Sequence, residues 1–154
     1  MPFDFHPLKT GYVARLHGVL EKDIVLQMAL TGYAHYAGAA RWIINDLRAV
    51  DMDSARSIAN DARNVEKMDR SAREVGKDRR DTKLHLCYVC SQEAYDEIVP
   101  PQLAALEDVA GSRLGLDSDI PRFDTVTDAF GWEQVIHEGD IPEWVTELDA
   151  PYVE

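Results

Sequence analysis

The chain has 154 residues, 45% of them hydrophobic, which suits one soluble globular domain with a single core. Its formal net charge of −12 argues against binding to nucleic acid or to an anionic membrane surface, because both would repel it. The opening segment MPFDFHPLKTGY lacks the basic and apolar regions of a signal peptide, and no apolar run approaches the roughly 20 residues that cross a bilayer. We therefore expect a soluble, cytoplasmic protein.

Strand and helix patterns alternate along the first part of the chain. Residues 11–18 mix β-branched and apolar side chains and predict a strand, and residues 22–36 have the apolar spacing of a helix. A second strand, 41–47, leads into a long helix at about 53–75, whose apolar positions recur every three or four residues. The continuous apolar run 84–90 predicts a third, buried strand.

Capping residues and prolines define the predicted elements that follow. Ser91 is suited to cap a helix, which Pro100 and Pro101 should interrupt, because the residue before a proline is disfavoured in the helical region. Residues 119–123 predict a short edge strand and residues 124–135 a last helix. This alternation predicts an α/β fold, with packed helices on a four- or five-stranded mixed sheet in which the third strand is internal.

The end of the chain is acidic. Residues 137–154 contain six acids and no lysine or arginine, so we expect a domain over 1–136 and an acidic C-terminal extension over 137–154. Basic side chains recur on and after the predicted long helix, at Arg63, Lys67, Arg70, Lys77, Arg79 and Arg80. We expect the extension to dock against that helix, in the same chain or in a sister subunit.

The residues most often used for catalysis and metal binding form no recognisable motif. Cys87 and Cys90 lie three apart on the third predicted strand, where their side chains point to opposite faces, so we expect two buried, reduced thiols without a metal. The five histidines, none at metal-ligand spacing, are His6, His17, His35, His85 and His137. The chain has no nucleophile elbow, Walker loop or dinucleotide-binding glycine motif. We expect a protein without cofactor or catalytic activity.

Polar side chains follow the ends of the predicted strands. In a parallel sheet, the crevice beyond the C-terminal ends of the strands is the usual ligand site, and Asn45, Asp46, Arg48 and Ser91 would line it. Asp46 and Arg48 are two residues apart, so they share one side of the strand if it continues, and an ion pair can form. Alternatively, Asp46 accepts N–H groups from the loop or a helix and fixes the turn.

The order of these features resembles that of the STAS-like proteins, the group related to the sporulation regulator SpoIIAA. The resemblance covers about residues 10–135 and rests on Gly18, on Asp46–Leu47, and on Phe123, Ala129 and Trp132 near the last predicted helix. It implies a STAS-like fold and a regulatory module that binds a protein partner. Because related proteins are often grouped with the SEC14 lipid-binding fold, binding of a small apolar ligand or lipid is the alternative.

The same resemblance draws attention to Asp53 and Ser54. In the anti-sigma factor antagonists of that group, an Asp-Ser pair just before a helix carries the serine that a partner kinase phosphorylates, and Asp53–Ser54 lies in the matching place. The loop after Val50 is about one residue shorter here, and Ala55 lacks the hydroxyl or glycine character usual after that serine. The alternative is that Asp53 or Ser54, or else Asp51, simply caps the long helix.

Overall fold

The computed structural model describes residues 3–36, 40–59, 84–108, 119–135 and 139–149. The strands are β1 (Phe3–Pro7), β2 (Gly11–Gly18), β3 (Trp42–Val50), β4 (His85–Val89) and β5 (Arg122–Phe123). The helices are α1 (Lys22–Tyr36), α2 (Met52–Ala59), α3 (Gln92–Asp108), α4 (Val126–Phe130) and α5 (Glu143–Asp149). Within these ranges, every helix is too short or too polar to cross a bilayer.

The five strands form one mixed sheet in the order β1-β2-β3-β4-β5. β1 pairs antiparallel with β2, and the three following neighbour pairs are parallel. Each parallel strand therefore lies beside the next one in the chain, with a helix in the connection between them. The predicted α/β class and mixed sheet are confirmed, with five strands where four or five were predicted, and β4, the third predicted strand, is internal.

The two faces of the sheet carry separate hydrophobic clusters, because strand side chains alternate between the faces. The first face is covered by α1, α2 and α3, and its cluster includes Tyr12, Ala14, Met28, Ala55, Leu86 and Ile98. The second face is covered by α4 and α5, and its cluster includes Val13, Trp42, Ile44, Cys87, Val126, Phe130, Val145 and Leu148. The last two residues lie beyond position 136, so this part of the acidic segment packs on the sheet of the same chain.

Two short elements are absent from the predicted set. β1 contains Asp4 and His6 and ends at Pro7, and residues of these types do not predict a strand. A proline is accepted there because β1 is an edge strand with one neighbour. α5 lies in the acidic segment and forms against the second face through Val145 and Leu148.

The predicted interruption of the helix after Ser91 is wrong. α3 continues from Gln92 to Asp108 through Pro100 and Pro101. Each proline removes one N–H donor from the helix, a local cost. Burial of Ala94, Ile98 and Val99 on the first face fixes the preceding turns, and this packing outweighs that cost.

Several element boundaries differ from the predicted ones. β3 continues to Val50 rather than ending at residue 47, and β5 is limited to Arg122–Phe123. α4 ends at Phe130, before the predicted end at 135. The first part of the predicted long helix is α2. The rest of that prediction, residues 60–75, and the basic side chains expected to hold the extension lie outside the described residues.

Cys87 and Cys90 lie on opposite faces of the sheet, as predicted: Cys87 belongs to the second-face cluster and Cys90 to the first-face cluster. Both are free and buried. Burial raises the pKa of Cys90 to about 11 and also raises the pKa of Cys87. Since the thiolate is the reactive form, both thiols are inert at neutral pH.

This burial predicts slow thiol labelling. In folded protein, a thiol-specific reagent should modify Cys87 and Cys90 at least about a hundredfold more slowly than in urea-unfolded protein, because modification requires opening of the sheet. Mass spectrometry over a time course measures both rates. Rapid modification of either residue under native conditions would contradict the described packing.

Candidate functional site

The candidate site is centred on Asp46, a carboxylate of β3 whose side chain has no exposed surface. Its Oδ1 accepts a hydrogen bond from Nε of Arg48 at 2.9 Å, and its Oδ2 accepts one from Nη2 of Arg48 at 2.9 Å. Oδ1 also accepts the backbone N–H of Arg48 at 3.1 Å. The ion pair considered for Asp46 is therefore present, whereas the backbone N–H that it accepts belongs to β3 itself and not to a loop or helix.

A second arginine reaches Asp46 from the neighbouring strand. Arg15 of β2 is the register partner of Asp46, and its Nε lies 3.5 Å from Asp46 Oδ2. Arg15 is itself paired in register with Asp4 of β1. Three adjacent strands thus place acid, base and acid in one row across the second face, an arrangement in which opposite charges stabilise strand pairing.

Arg48 also connects the sheet to the end of α5. Its Nη2 lies 2.9 Å from Asp149 Oδ1 and donates to the backbone carbonyl of Leu148 at 3.0 Å. The guanidinium therefore joins β3 to a segment 100 residues further along the chain. A planar guanidinium suits this role because its donors point in several fixed directions.

Asp149 in turn binds the start of α4. Its Oδ1 accepts the N–H of Val126 at 2.8 Å, and its Oδ2 accepts the N–H of Thr127 at 2.8 Å and the hydroxyl of Thr127 at 2.5 Å. Thr125 caps the next position, its Oγ1 accepting the N–H of Asp128 at 3.0 Å. The N–H groups that a helix leaves unpaired at its start are thus bound by a carboxylate from α5.

The charge state of Asp149 follows from these contacts. Burial raises the pKa of Asp149, but hydrogen bonds from Thr127 and Val126 and the positive charge of Arg48 outweigh burial. Its pKa therefore lies below the ordinary value of 3.8. Asp149 is an anion at neutral pH, and the network of Asp46, Arg48 and Asp149 holds β3, α4 and α5 in one arrangement.

The N-cap of α2 is Asp51. Its Oδ2 accepts the N–H of Ser54 at 3.1 Å. Asp51 is thus the cap among the three candidates, and Asp53 and Ser54 lie inside the helix, because β3 extends to Val50 and the helix begins at Met52. Asp53 is exposed and pairs with Arg56 at 2.8 Å.

Ser54 lies within the first turn of α2 and joins two connections of the sheet. Its hydroxyl donates to the backbone carbonyl of Asp51 at 2.7 Å and accepts the N–H of Leu20 at 2.9 Å. Leu20 belongs to the connection between β2 and α1. A second bond supports this junction, since the N–H of Asp51 donates to the carbonyl of Gly18 at 2.9 Å.

Ser91 and Asn45 complete the predicted set. Ser91 caps α3 as predicted, its Oγ accepting the N–H of Ala94 at 3.2 Å. Asn45 lies on the first face, with Ala14 and Tyr88 as its register partners, and its buried Oδ1 has no hydrogen-bond partner within the described structure.

The six predicted residues therefore do not form one cluster. Asp46 and Arg48 lie on the second face and Asn45 on the first face. Asp53, Ser54 and Ser91 lie where helices begin. No group of three His, Cys, Asp or Glu side chains in the described ranges could hold a metal ion.

Two members of the charged network, Arg15 and Asp149, are not among the residues singled out from the sequence. Arg15 interrupts the apolar alternation of a predicted strand, and this irregularity is a signal for a buried charge. Asp149 has no such signal, because it is one of several acids in an acidic segment.

Comparison of the chain with protein-family models, with curated proteins and with solved structures gave no significant match. The STAS-like fold inferred from sequence pattern therefore stays a prediction.

The burial of Asp46 predicts a large effect of removing its charge. Asp46→Asn leaves the guanidinium groups of Arg48 and Arg15 beside a neutral amide, and the free energy of unfolding should fall by about 3–5 kcal/mol. Urea denaturation followed by circular dichroism measures this change. Asp53→Asn is the matched control, since Asp53 pairs with Arg56 at the surface, and it should have little effect.

A double variant separates lost pairing from lost packing. Asp46→Asn combined with Arg48→Met removes both charges of the pair and should recover part of the stability lost in Asp46→Asn. A loss in Asp46→Asn no larger than in Asp53→Asn would contradict the central role of Asp46.

Proposed function

We propose that this chain is a non-enzymatic regulatory module that binds a protein partner at the edge where the parallel strands end. The observation that carries the proposal is the bond between Ser54 Oγ and the N–H of Leu20, which joins the connection after β2 to the start of α2. The STAS-like pattern of the sequence supports the same kind of function.

An exposed apolar side chain lies beside this junction. Val19, directly before Leu20, has 69% of its surface exposed. The neighbouring connection contributes the exposed acids Asp51 and Asp53. An apolar contact beside polar, solvated groups is the usual composition of a protein-binding surface.

The hydroxyl of Ser54 is the group through which this surface can be altered. A phosphate on Ser54 would remove the proton that Ser54 donates to Asp51 and would add about −1.5 to −2 charges at the first turn of α2. The helix dipole favours that charge, and Asp51 and Asp53 oppose it, so we expect little net effect on folding. The change would act on the Leu20 contact, and through it on the position of Val19.

Introducing a positive charge at Val19 tests the proposed contact surface. Val19→Lys should abolish capture of the partner from a lysate of the source organism, because a charge replaces the central apolar contact. Ile141→Lys is the matched control, since Ile141 is the other large exposed hydrophobic among the described residues, at 44% exposure, and lies outside this edge. Capture is quantified by mass spectrometry against resin without bait.

Three results would count against the surface. They are recovery of no protein above the empty resin, equal recovery with Val19→Lys, and equal loss with Ile141→Lys. A small molecule that co-purifies with the protein in native mass spectrometry would instead favour the ligand-binding alternative.

The proposed regulation through the Ser54 hydroxyl is tested with a second pair of variants. Ser54→Asp should change the amount of partner captured by about threefold or more, because it replaces the group that binds the Leu20 N–H. Ser57→Asp adds the same charge one turn further along α2, at an exposed position, and should behave as wild type. Equal capture by wild type, Ser54→Ala, Ser54→Asp and Ser57→Asp would remove Ser54 as a switch while leaving the binding surface intact.

A further inference from the structure

α5 depends on its contacts with the rest of the protein for its helical structure. It has seven residues, and a helix of this length is not stable alone in water. Val145 and Leu148 are buried in the second-face cluster. Two further contacts, one at each end of α5, involve titratable groups: Trp144 stacks on His6, and Asp149 binds Arg48 and the start of α4.

The contact at the start of α5 is between two rings. The imidazole of His6 and the indole of Trp144 are stacked, with ring centroids 4.7 Å apart and an interplanar angle of 16°. Trp144 also packs edge-on against Phe130 of α4, with centroids 5.9 Å apart. The side chain of His6 thus connects the edge strand β1 to α5, one of the helices that cover the second face.

His6 is placed where a positive charge is unfavourable. Its Nε2 is buried and has no hydrogen-bond partner within the described structure. Both ring nitrogens of an imidazolium are donors, so protonation would leave a buried N–H without an acceptor.

The charged groups acting on His6 come from the two strands beside it. Asp4, two residues away on β1, favours the imidazolium, and Arg15 of β2 opposes it. From the covering helices, α5 places Trp144 against His6, and Phe130 of α4 packs against the other ring of this pair, Trp144. Glu143 and Glu147 of α5 are exposed to solvent.

We propose that α5 is an acid-releasable latch: protonation of His6 detaches residues 143–149 from the second face and frees the Arg48 donor and α4 N–H groups that Asp149 occupies. The released state exposes the apolar side chains of α4 and of the strands beneath it. The core formed by the first face and its three helices stays folded.

The pKa of His6 determines how the attachment of α5 depends on pH. Burial lowers the pKa of His6 below its ordinary value of 6.5; Asp4 opposes this effect and Arg15 adds to it. The attached form therefore binds a proton less readily than the released form, and attachment weakens as the pH falls below 6.5. Asp149 acts in the same direction but only below 3.8, so it is not the trigger.

One interaction opposes this direction. An aromatic ring attracts a cation at its face, so the indole of Trp144 favours the imidazolium. The unpartnered Nε2 and the charge of Arg15 act against it. A measurement of the pKa of His6 by NMR will show which contribution is larger, and the proposal requires a value below 6.5.

Hydrogen exchange of the full chain tests the latch. Amide exchange of residues 143–149, corrected for intrinsic exchange rates, should rise about three- to tenfold between roughly pH 7.5 and roughly pH 5.5. Exchange of β3 and β4 should not change. His6→Phe keeps a planar ring against Trp144 and removes the titration, so this variant should show no rise.

His35→Phe is the matched control. His35 is exposed on α1 and packs against Phe5 and Tyr36, so its removal should leave the pH response as in wild type. An equal rise in His6→Phe, or an equal rise in β3 and β4, would overturn the proposal. So would an imidazole pKa of His6 at or above 6.5, measured by NMR on the wild-type protein, a result that needs no variant to fold.

Discussion

The buried carboxylate of Asp46 is the start of the polar contacts that join β3 to the helices on the second face. An isolated charge without solvent contact is strongly unfavourable, so the fold must supply donors to both oxygens. Arg48, two residues later on the same side of the strand, donates to both oxygens. Arg15 lies opposite in the parallel register and adds a second positive charge 3.5 Å from Oδ2. The guanidinium of Arg48 then has a further donor, which the carbonyl of Leu148 and the carboxylate of Asp149 accept. Asp46 thus binds Arg48, Arg48 binds the end of α5, and Asp149 of α5 binds the start of α4.

The contact between Arg15 and Asp46 also favours the observed register of β2 on β3. A shift of β2 by one residue along β3 would move Arg15 away from Asp46 and place it opposite a residue of the other face. An apolar replacement of the charged residues would fill the same space without such a penalty for a wrong register, and replacements of this kind are often neutral or stabilising elsewhere. We therefore expect the charged row to favour one pairing of the strands over shifted ones.

The sequence predicts elements whose stability is local and misses those that depend on distant contacts. Residues 11–18 and 22–36 match β2 and α1 because alternation and helical spacing are properties of the segment itself. α3 crosses Pro100 and Pro101 because buried side chains on the first face hold it, which a local proline rule does not include.

The same distinction applies to the site. The contact of Asp46 with Arg48 follows from their spacing, whereas Asp149 joins them across 100 residues. The sequence left three candidate caps for α2 because it did not define the end of β3: with β3 continuing to Val50, the first available acceptor is Asp51.

The second face explains why an acidic segment must nevertheless carry apolar anchors. Consecutive parallel strands joined by crossovers of one hand place all the connecting helices on the same face, and α1, α2 and α3 all cover the first face. The opposite face still presents buried side chains from three strands, at Val13, Trp42, Ile44, Cys87 and Val89. Within residues 124–135 and 139–149 no further strand follows β5, and this surface is covered by α4 and α5, of five and seven residues. Helices this short cover the surface only if their few apolar residues are large and well placed, as Phe130, Trp144 and Leu148 are, and only if polar contacts fix their ends. The carboxylate of Asp149 fixes the start of α4 and the end of α5 at once, so an acidic segment can complete a hydrophobic core.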